Sequence, residues 1–394
     1  MTPLWEEIYG WMERMMLCIS DDLGAVAVND AQGNGHTGQK IPVVSMLPPA
    51  REIRYFSRLS GLFGLSLETV PPRAEKLLQK AIRQYSITHI LCQYGTYAVR
   101  FMQAWRETDL PLFIHFHGYD ATFDLRAADQ PEKRSHTDEY LANIKELGSR
   151  AVLIANSQYT RSLLLEAGLP AERIMVKGFG VPLPAEKHLH FKKDKVQILH
   201  VGRLVDFKSP DRTIRAFEIA RSKGMEGNLV IAGDGPLRTT CELLRLRSPY
   251  RDAIQILGVV GSEQVQSLYS GSDIFTAHNV TGEVTRQAEC FGVSIVEAMA
   301  NGVPVVGTRS GGVVETVVEG QTGMLVAPGD VEAQAAAFLE LAQNPGLRQQ
   351  MGDAGRERVS AIYSPQREAD QLRTILNVTH MTSLGSVDTS LTGR

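Results

Sequence analysis

The sequence has little cysteine. Four occur in 394 residues, Cys18, Cys92, Cys241 and Cys290, and none forms a C-x-x-C pair. That spacing argues against a zinc site and a disulfide scaffold. It suits a reducing compartment, so a cytoplasmic location is expected. Positive charge is not in excess either: Lys plus Arg is 41, Asp plus Glu is 44, and the net charge is -3. Nothing here neutralises a phosphate backbone, which excludes nucleic acid as the main partner. No stretch approaches roughly 18 consecutive apolar residues, the length a membrane-crossing helix needs. Residues 1–16 carry Glu6, Glu7 and Glu13 among Leu4, Trp5, Ile8, Trp11, Met12 and Met15. They read as an amphipathic helix docked on the body, not as a signal peptide. That helix lacks the Lys/Arg-rich face of a surface-bound helix, so at most peripheral membrane association is expected.

The length exceeds what one core supports, so two domains are expected. Hydrophobic residues make up 43% and charged residues 22%, the balance of a globular chain. Strand and helix patterns alternate, which predicts an α/β protein with parallel sheets. In the first half the pattern gives helices over 73–85, 97–105, 137–147 and 157–167, and strands over 89–92, 112–115, 151–155 and 173–177. The run Gly180-Val181-Pro182-Leu183-Pro184 breaks it, and a charged stretch follows. The second half restarts with strands over 196–201, 228–232, 253–257, 274–277 and 303–306. Helices fall over 210–222, 237–246, 262–269 and 294–300. The expected organisation is an N-terminal domain over 1–182 and a linker over 183–194. A second domain follows over 195–365, then a helix over 366–380 crossing back to the first domain, and a frayed tail over 381–394. Two doubly wound halves would face each other across a cleft and bind ligands at the carboxyl ends of their strands. Near the start, 24–28 fits a strand. Gly33-Asn34-Gly35-His36 after it is a polar turn, lacking the third glycine and the acidic partner of a dinucleotide site.

Three stretches carry chemistry. In Glu289-Cys290-Phe291-Gly292-Val293, leading into a helix that holds Glu297, free amides at the helix start can bind an anion. Gly292 lets a ligand approach the backbone, and a carboxylate at Glu297 can accept two hydrogen bonds from a vicinal diol such as ribose. Either glutamate alone reads as a solvated helix-start residue; the pair around Phe-Gly is the signal. In Val201-Gly202-Arg203-Leu204-Val205-Asp206-Phe207-Lys208, Arg203 offers a planar fork for phosphate oxygens and Lys208 a mobile point charge. Two fixed cations could stabilise a diphosphate leaving group without a metal. Gly233-Asp234-Gly235-Pro236 is by itself a turn signal.

From Val196 to about Asp330 these stretches resemble the family-4 glycosyltransferases, retaining enzymes of GT-B fold related to glycogen synthase. The resemblance rests on Gly202-Arg203 with Lys208, on Gly233-Asp234-Gly235-Pro236 and on the Glu-x7-Glu pair Glu289 and Glu297. It extends to Gly302-Val303-Pro304-Val305-Val306, Gly311-Gly312 with Glu315, and Gly320-Gln321-Thr322-Gly323. In the first half, His115-Phe116-His117-Gly118-Tyr119-Asp120 is similar to the family's histidine loop. Ala155-Asn156-Ser157 is similar to its later strand-to-helix turn.

The resemblance implies that Arg203 and Lys208, beside Gly202, bind the donor diphosphate. It implies that Glu297 holds the ribose, and that Glu289 contacts the sugar hydroxyls. Backbone of Phe291, Gly292 and Val293, in the loop through Cys290, would assist. Backbone near Gly258, Val259 and Val260 would meet the base, and His117 would meet the sugar and the acceptor. The sequence departs from the family twice. The Gly-Gly loop after the first strand is missing at its usual place, with 33–38 as its replacement or nothing. A polar insert over 278–287 precedes Glu289, as a pocket wall or a lid, with Glu283 and Arg286 solvated.

The implied function is retaining, metal-independent transfer of a sugar from a nucleotide-diphosphate sugar to an acceptor hydroxyl, with the nucleotide sugar as co-substrate and no other cofactor. The acceptor would be a glycan, a lipid-linked sugar or a small molecule. No D-x-D motif follows an expected strand, while Arg203 and Lys208 are available. Two alternatives stand beside it. One is a non-catalytic nucleotide-sugar-binding protein on the same fold. The other is a nucleotide-sugar epimerase, which would need further cleft carboxylates, and the first half offers only Asp120 and Asp124.

Overall fold

A computed structural model describes residues 16–19, 25–28, 43–45, 76, 78–80, 82–83, 87–126, 139–185 and 195–378. The expected helix over 1–16 apart from Met16, the turn over 33–38, the expected linker over 183–194 apart from 183–185, and the tail over 381–394 lie outside them. The chain divides into two compact units, Met1–Lys177 with Glu368–Arg394, and Gly178–Arg367.

The first unit is built on seven strands in the order β3-β2-β1-β4-β5-β6-β7. These are β1 (Met16–Ile19), β2 (Ala25–Val28), β3 (Val43–Ser45), β4 (His89–Gln93), β5 (Leu112–Phe116), β6 (Val152–Ala155) and β7 (Ile174–Val176). From β1 through β7 neighbours run parallel, and β4, β5 and β6 are buried along their whole length, as strands covered on both faces must be. The sheet is not parallel throughout. β1 pairs β2, and β2 pairs β3, antiparallel. Residues 20–24 are too few for a crossover, so β2 must turn back along β1. Met16, expected in a helix, opens β1.

The helix expected over 97–105 is two helices, Gly95–Arg100 and Met102–Arg106. The Trp105 indole takes the Ala98 carbonyl at 2.8 Å, the acceptor that a continuous helix would have used four residues on. The helix Pro365–Val378 closes this unit. Its Leu372 and Ile375 pack on Leu91, Phe113, Val152 and Ile154 of the sheet.

The second unit holds six parallel strands: β8 (Val196–Val201), β9 (Gly227–Ala232), β10 (Ile254–Gly258), β11 (Ile274–Thr276), β12 (Val305–Thr308) and β13 (Gly323–Val326). Their order is β10-β9-β8-β11-β12-β13. The order reverses between β8 and β11, and a crevice opens at the carboxyl ends of strands at such a point. Apolar side chains fill both faces of the sheet, with Phe217 and Phe338 on one and Phe275, Phe291 and Met299 on the other. Residues 178–184 pack in this unit: the Val181 amide donates to the Tyr363 carbonyl at 2.8 Å. β12 begins two residues later than expected because Gly302 and Val303 belong to the stop of the preceding helix. Their amides donate to Met299 and Ala298 at 2.9 and 3.0 Å.

Candidate functional site at the switch point of the second sheet

The loop after β8 is shaped by backbone contacts. The Gly202 amide donates to Ala232 and the Gly233 amide to Gly258, so the ends of β8, β9 and β10 interlock. A side chain at Gly233 would place its Cβ 1.9 Å from the Gly202 carbonyl oxygen, so only glycine allows this approach. The loop then turns through Asp206–Lys208. Phe207 is buried, and its ring carries both cations of the motif: Arg203 Cζ and Lys208 Nζ each lie 5.7 Å from the ring centroid. Arg203 is exposed and Lys208 half-buried. At the end of β10, Gly258 has φ +71° and sits against the Arg238 guanidinium, which pairs with Asp234 at 2.7 Å. Val259 is 80% exposed beside Val260, an open apolar edge.

The loop after β11 lies next to it, and its base is buried. His278 Nε2 accepts from the Gly329 amide at 2.9 Å, so Nδ1 carries the proton donated to Gln334 Oε1 at 2.8 Å. The Asn279 carbonyl accepts from Thr308 Oγ1, and the Val280 amide donates to the Phe207 carbonyl. The tip of the insert is held by Asp206. That carboxylate accepts from the amides of Val284 and Thr285 and from the Thr285 hydroxyl, at 2.8 to 2.9 Å. The amide and hydroxyl donors outweigh burial and hold the Asp206 carboxyl below its ordinary value. Between the two readings of the insert, the pinned tip favours a fixed wall over a lid. Glu283 is exposed as expected, but Arg286 is half-buried, at φ +57°.

Glu289 follows the insert and is the hub of the site. Its Oε2 is ion-paired with Lys208 and accepts from Asn279 Nδ2 at 3.2 Å, and the amides of Phe291 and Gly292 also donate to the carboxylate. Burial pushes the carboxyl up. Lys208 and the two amides more than offset this, and the pKa lies below the ordinary range. The loop is braced from behind, where the Gly312 amide donates to the Glu289 carbonyl at 2.8 Å. A Cβ at Gly312 would lie 1.9 Å from the Cys290 carbonyl oxygen. This contact explains why Gly311-Gly312 accompanies the motif. Cys290 and Phe291 are buried, and the Phe291 ring meets Phe179 and Tyr363 edge-on at 5.4 Å each. Val293 opens the helix Val293–Ala300 and is 40% exposed.

Glu297 lies one turn into that helix. Burial raises its pKa, and a hydrogen bond from the Tyr269 hydroxyl to Oε2 at 2.8 Å partly offsets the rise.

His117 belongs to the first unit, after β5. Its Nε2 lies 2.6 Å from Gln93 Oε1, which also receives His115 Nδ1 at 3.0 Å, and its ring stacks on Tyr94 at 4.2 Å. Burial, and then the charge of Lys177, lower its pKa to about 3, so the imidazole is neutral. Asp120 shapes this loop by accepting from the amides of Gly95, His117 and Gly118 at 2.7 to 3.0 Å.

The structure therefore brings Gly202, Arg203, Lys208, Glu289 and the Phe291–Gly292 amides to one strand-end region, with Glu297 on the adjoining helix. Sequence reasoning missed Asn279, Asp206, Tyr269 and Gln93. Asn279 and Gln93 lie at the carboxyl ends of strands, which was a usable signal. Tyr269 lies far from Glu297 in sequence and gave none.

Comparison with known proteins agrees with this architecture. The family model of glycosyl transferases group 1 matches residues 185–358, and that of glycosyltransferase family 4 matches residues 39–183. A GDP-mannose-dependent alpha-(1-6)-phosphatidylinositol monomannoside mannosyltransferase of Mycolicibacterium smegmatis is 30% identical over 191 residues, covering 45% of this chain and 50% of that protein. The N-acetyl-alpha-D-glucosaminyl L-malate synthase of Bacillus anthracis is 27% identical over 203 residues, covering 48% and 51%. The chain thus spans about half the length of these curated relatives. Among solved structures, Anabaena HepE in complex with UDP and glucose superposes with a TM-score of 0.65 at 21% identity, covering 78% of this chain and 81% of that one. That likeness establishes a shared fold.

Proposed function

Because the chain belongs to the family-4 glycosyltransferases, of GT-B fold, we propose that it moves a sugar from a nucleotide-diphosphate sugar to an acceptor hydroxyl, with retention and without a metal. The observation that carries this reading is the convergence of Arg203, Lys208 and Glu289 at the switch point of the second sheet. Two cations over one buried ring offer five guanidinium donors and a mobile ammonium to a diphosphate, which a magnesium ion would otherwise neutralise. Glu289, held ionised, accepts from sugar hydroxyls, and Glu297 from the ribose diol. The backbone of Gly258, Val259 and Val260 faces the base.

The acceptor hydroxyl attacks the anomeric carbon on the face the diphosphate leaves. The carbon–oxygen bond to phosphate breaks as the new one forms, and the hydroxyl proton passes to a leaving phosphate oxygen. His117, neutral at physiological pH, serves the reacting sugar as a hydrogen-bond partner and not as a charge. No cofactor takes part beyond the nucleotide sugar. The relatives' names include a lipid acceptor and L-malate, and the acceptor class here is a glycan, a lipid-linked sugar or a small hydroxyl compound.

Thermal-shift screening against a panel of nucleotide sugars tests the donor, since a bound donor raises the melting temperature by mass action. With the donor found, proton NMR of the first-formed product should show the donor's anomeric configuration, and turnover should survive EDTA. An inverted product removes the retaining assignment. Loss in EDTA restored by magnesium or manganese removes the role given to the two cations. A melting shift with no transfer or hydrolysis would favour a non-catalytic binding protein.

A further inference from the structure

Four donors converge on one carboxylate in the second unit. Lys208 Nζ and Asn279 Nδ2 hold Glu289 Oε2, and the amides of Phe291 and Gly292 complete the set. A cation, a side-chain amide and two N–H groups at a helix start would equally satisfy a phosphate oxygen. In the free chain that set is already filled by the chain's own anion. The side chains of Lys208 and Glu289 are 16% and 14% exposed, so water does little to screen a second negative charge brought there.

We infer that Glu289 is the resident anion of the donor site, that the diphosphate of an incoming donor takes Lys208 from it, and that Asn279 keeps the released carboxylate in place for the sugar hydroxyls. This rests on the donor-site reading above. Asn279 suits the task because its backbone is fixed independently of the Lys208 side chain. Thr308 holds its carbonyl, while Gln334 and Gly329 fix His278 before it, and Phe207 fixes Val280 after it. Its side chain is fully buried, and Oδ1 has no hydrogen-bond partner among the described residues, so the amide is committed through Nδ2 to Glu289. Being neutral, it is drawn to the incoming diphosphate far less strongly than Lys208 is, so the cation is the donor that transfers. Asn279 is thus a positioning residue acting through Glu289.

Calorimetry with UDP, GDP and ADP, all without sugar, tests the exchange on the wild type, Glu289→Gln, Lys208→Ala and the double variant. The nucleotide that binds the wild type should bind Glu289→Gln about fivefold tighter or more, the lower end of ordinary coupling between sites. In the Lys208→Ala background the same substitution should change affinity less than about twofold, since the contact it frees is gone. Unchanged or weaker binding by Glu289→Gln overturns the exchange. An equal gain in both backgrounds also overturns it, because that gain is general charge repulsion. If no nucleoside diphosphate binds any of the four folded proteins, the donor-site reading itself fails and takes the exchange with it. For Asn279, the Leu and Ala variants, which remove the amide without adding charge, should bind the bare diphosphate at least as well as the wild type, yet lose the extra affinity that the intact nucleotide sugar has over it. Equal weakening of both ligands would mean that Asn279 only supports the fold.

Discussion

Asp120, buried in the first unit, and Glu289, half-buried in the second, are carboxylates that accept from backbone amides, and their ionisation is pushed in opposite directions. Asp120 has the amides of Gly95, His117 and Gly118, yet burial raises its pKa to about 6. Glu289 has the amides of Phe291 and Gly292 and is lowered. The difference is Lys208 at contact distance. Amides alone do not offset the cost of burying a charge here; a cation does. The first unit uses its buried cation elsewhere, since Lys177 pairs with Glu368. Burial and the charge of that same Lys177 keep the imidazoles of His115 and His117 neutral.

The strongest way to break this comparison is to strand the first unit's cation. Glu368→Ala removes the ion-pair partner of Lys177, whose side chain is 0% exposed, which should cost about 3–5 kcal/mol in denaturant unfolding. Lys177→Met with Glu368→Leu should recover most of that loss, and His117, relieved of the Lys177 charge, should titrate at higher pH by NMR. Next, Lys208→Ala should make Glu289 resemble Asp120. Turnover should fall by roughly a hundredfold, about 3 kcal/mol, and the acid limb of the rate profile should move to higher pH. Near-normal turnover in both Lys208→Ala and Arg203→Ala would end the diphosphate assignment.

Asp120 supplies a pH test of the first unit. Its folded pKa lies above the unfolded value, so the folded chain holds the proton more tightly. This contribution is present at low pH and is lost as pH rises through the carboxylate range to about 6. Unfolding by urea between pH 4 and 7 should therefore show wild type losing roughly 2–3 kcal/mol relative to Asp120→Asn. The smallest effect concerns Glu297, which has no cation beside it among the described residues and is raised. Donor binding that needs it ionised should fade on the acid side at a higher pH than an ordinary carboxylate would dictate. Tyr269→Phe removes a hydrogen bond that lowers it, so that limb should shift further up, and donor affinity at neutral pH should drop by about 1 kcal/mol.

The sequence was most legible where one local rule suffices. β8 and the helix Pro210–Ser222 have their expected ends because an apolar run, Gly202 and Pro210 mark them. Lys208 and Glu289 were each nameable, but their pairing joins the loops after β8 and after β11, and only the reversal of strand order makes those neighbours. The pinned insert was illegible for the same reason. Asp206 reads as a loop residue until Thr285 is seen to donate to it. Met16 misled because it ends a run with helical periodicity, while the strand pairing of Met16–Ile19 is decided by β4, far along the sequence.

The return of the C-terminal helix has a consequence for synthesis. The apolar face made by Leu91, Phe113, Val152 and Ile154 is covered by Leu372 and Ile375, and the whole of Gly178–Arg367 is translated in between. At ordinary elongation rates that interval lasts about 10–40 s. The first unit therefore emerges from the ribosome first and is finished last, holding an uncovered sheet face while the second unit is made. A chaperone that binds extended apolar strands has its window there, and a gene cut after Lys177 would yield a piece that never leaves that state.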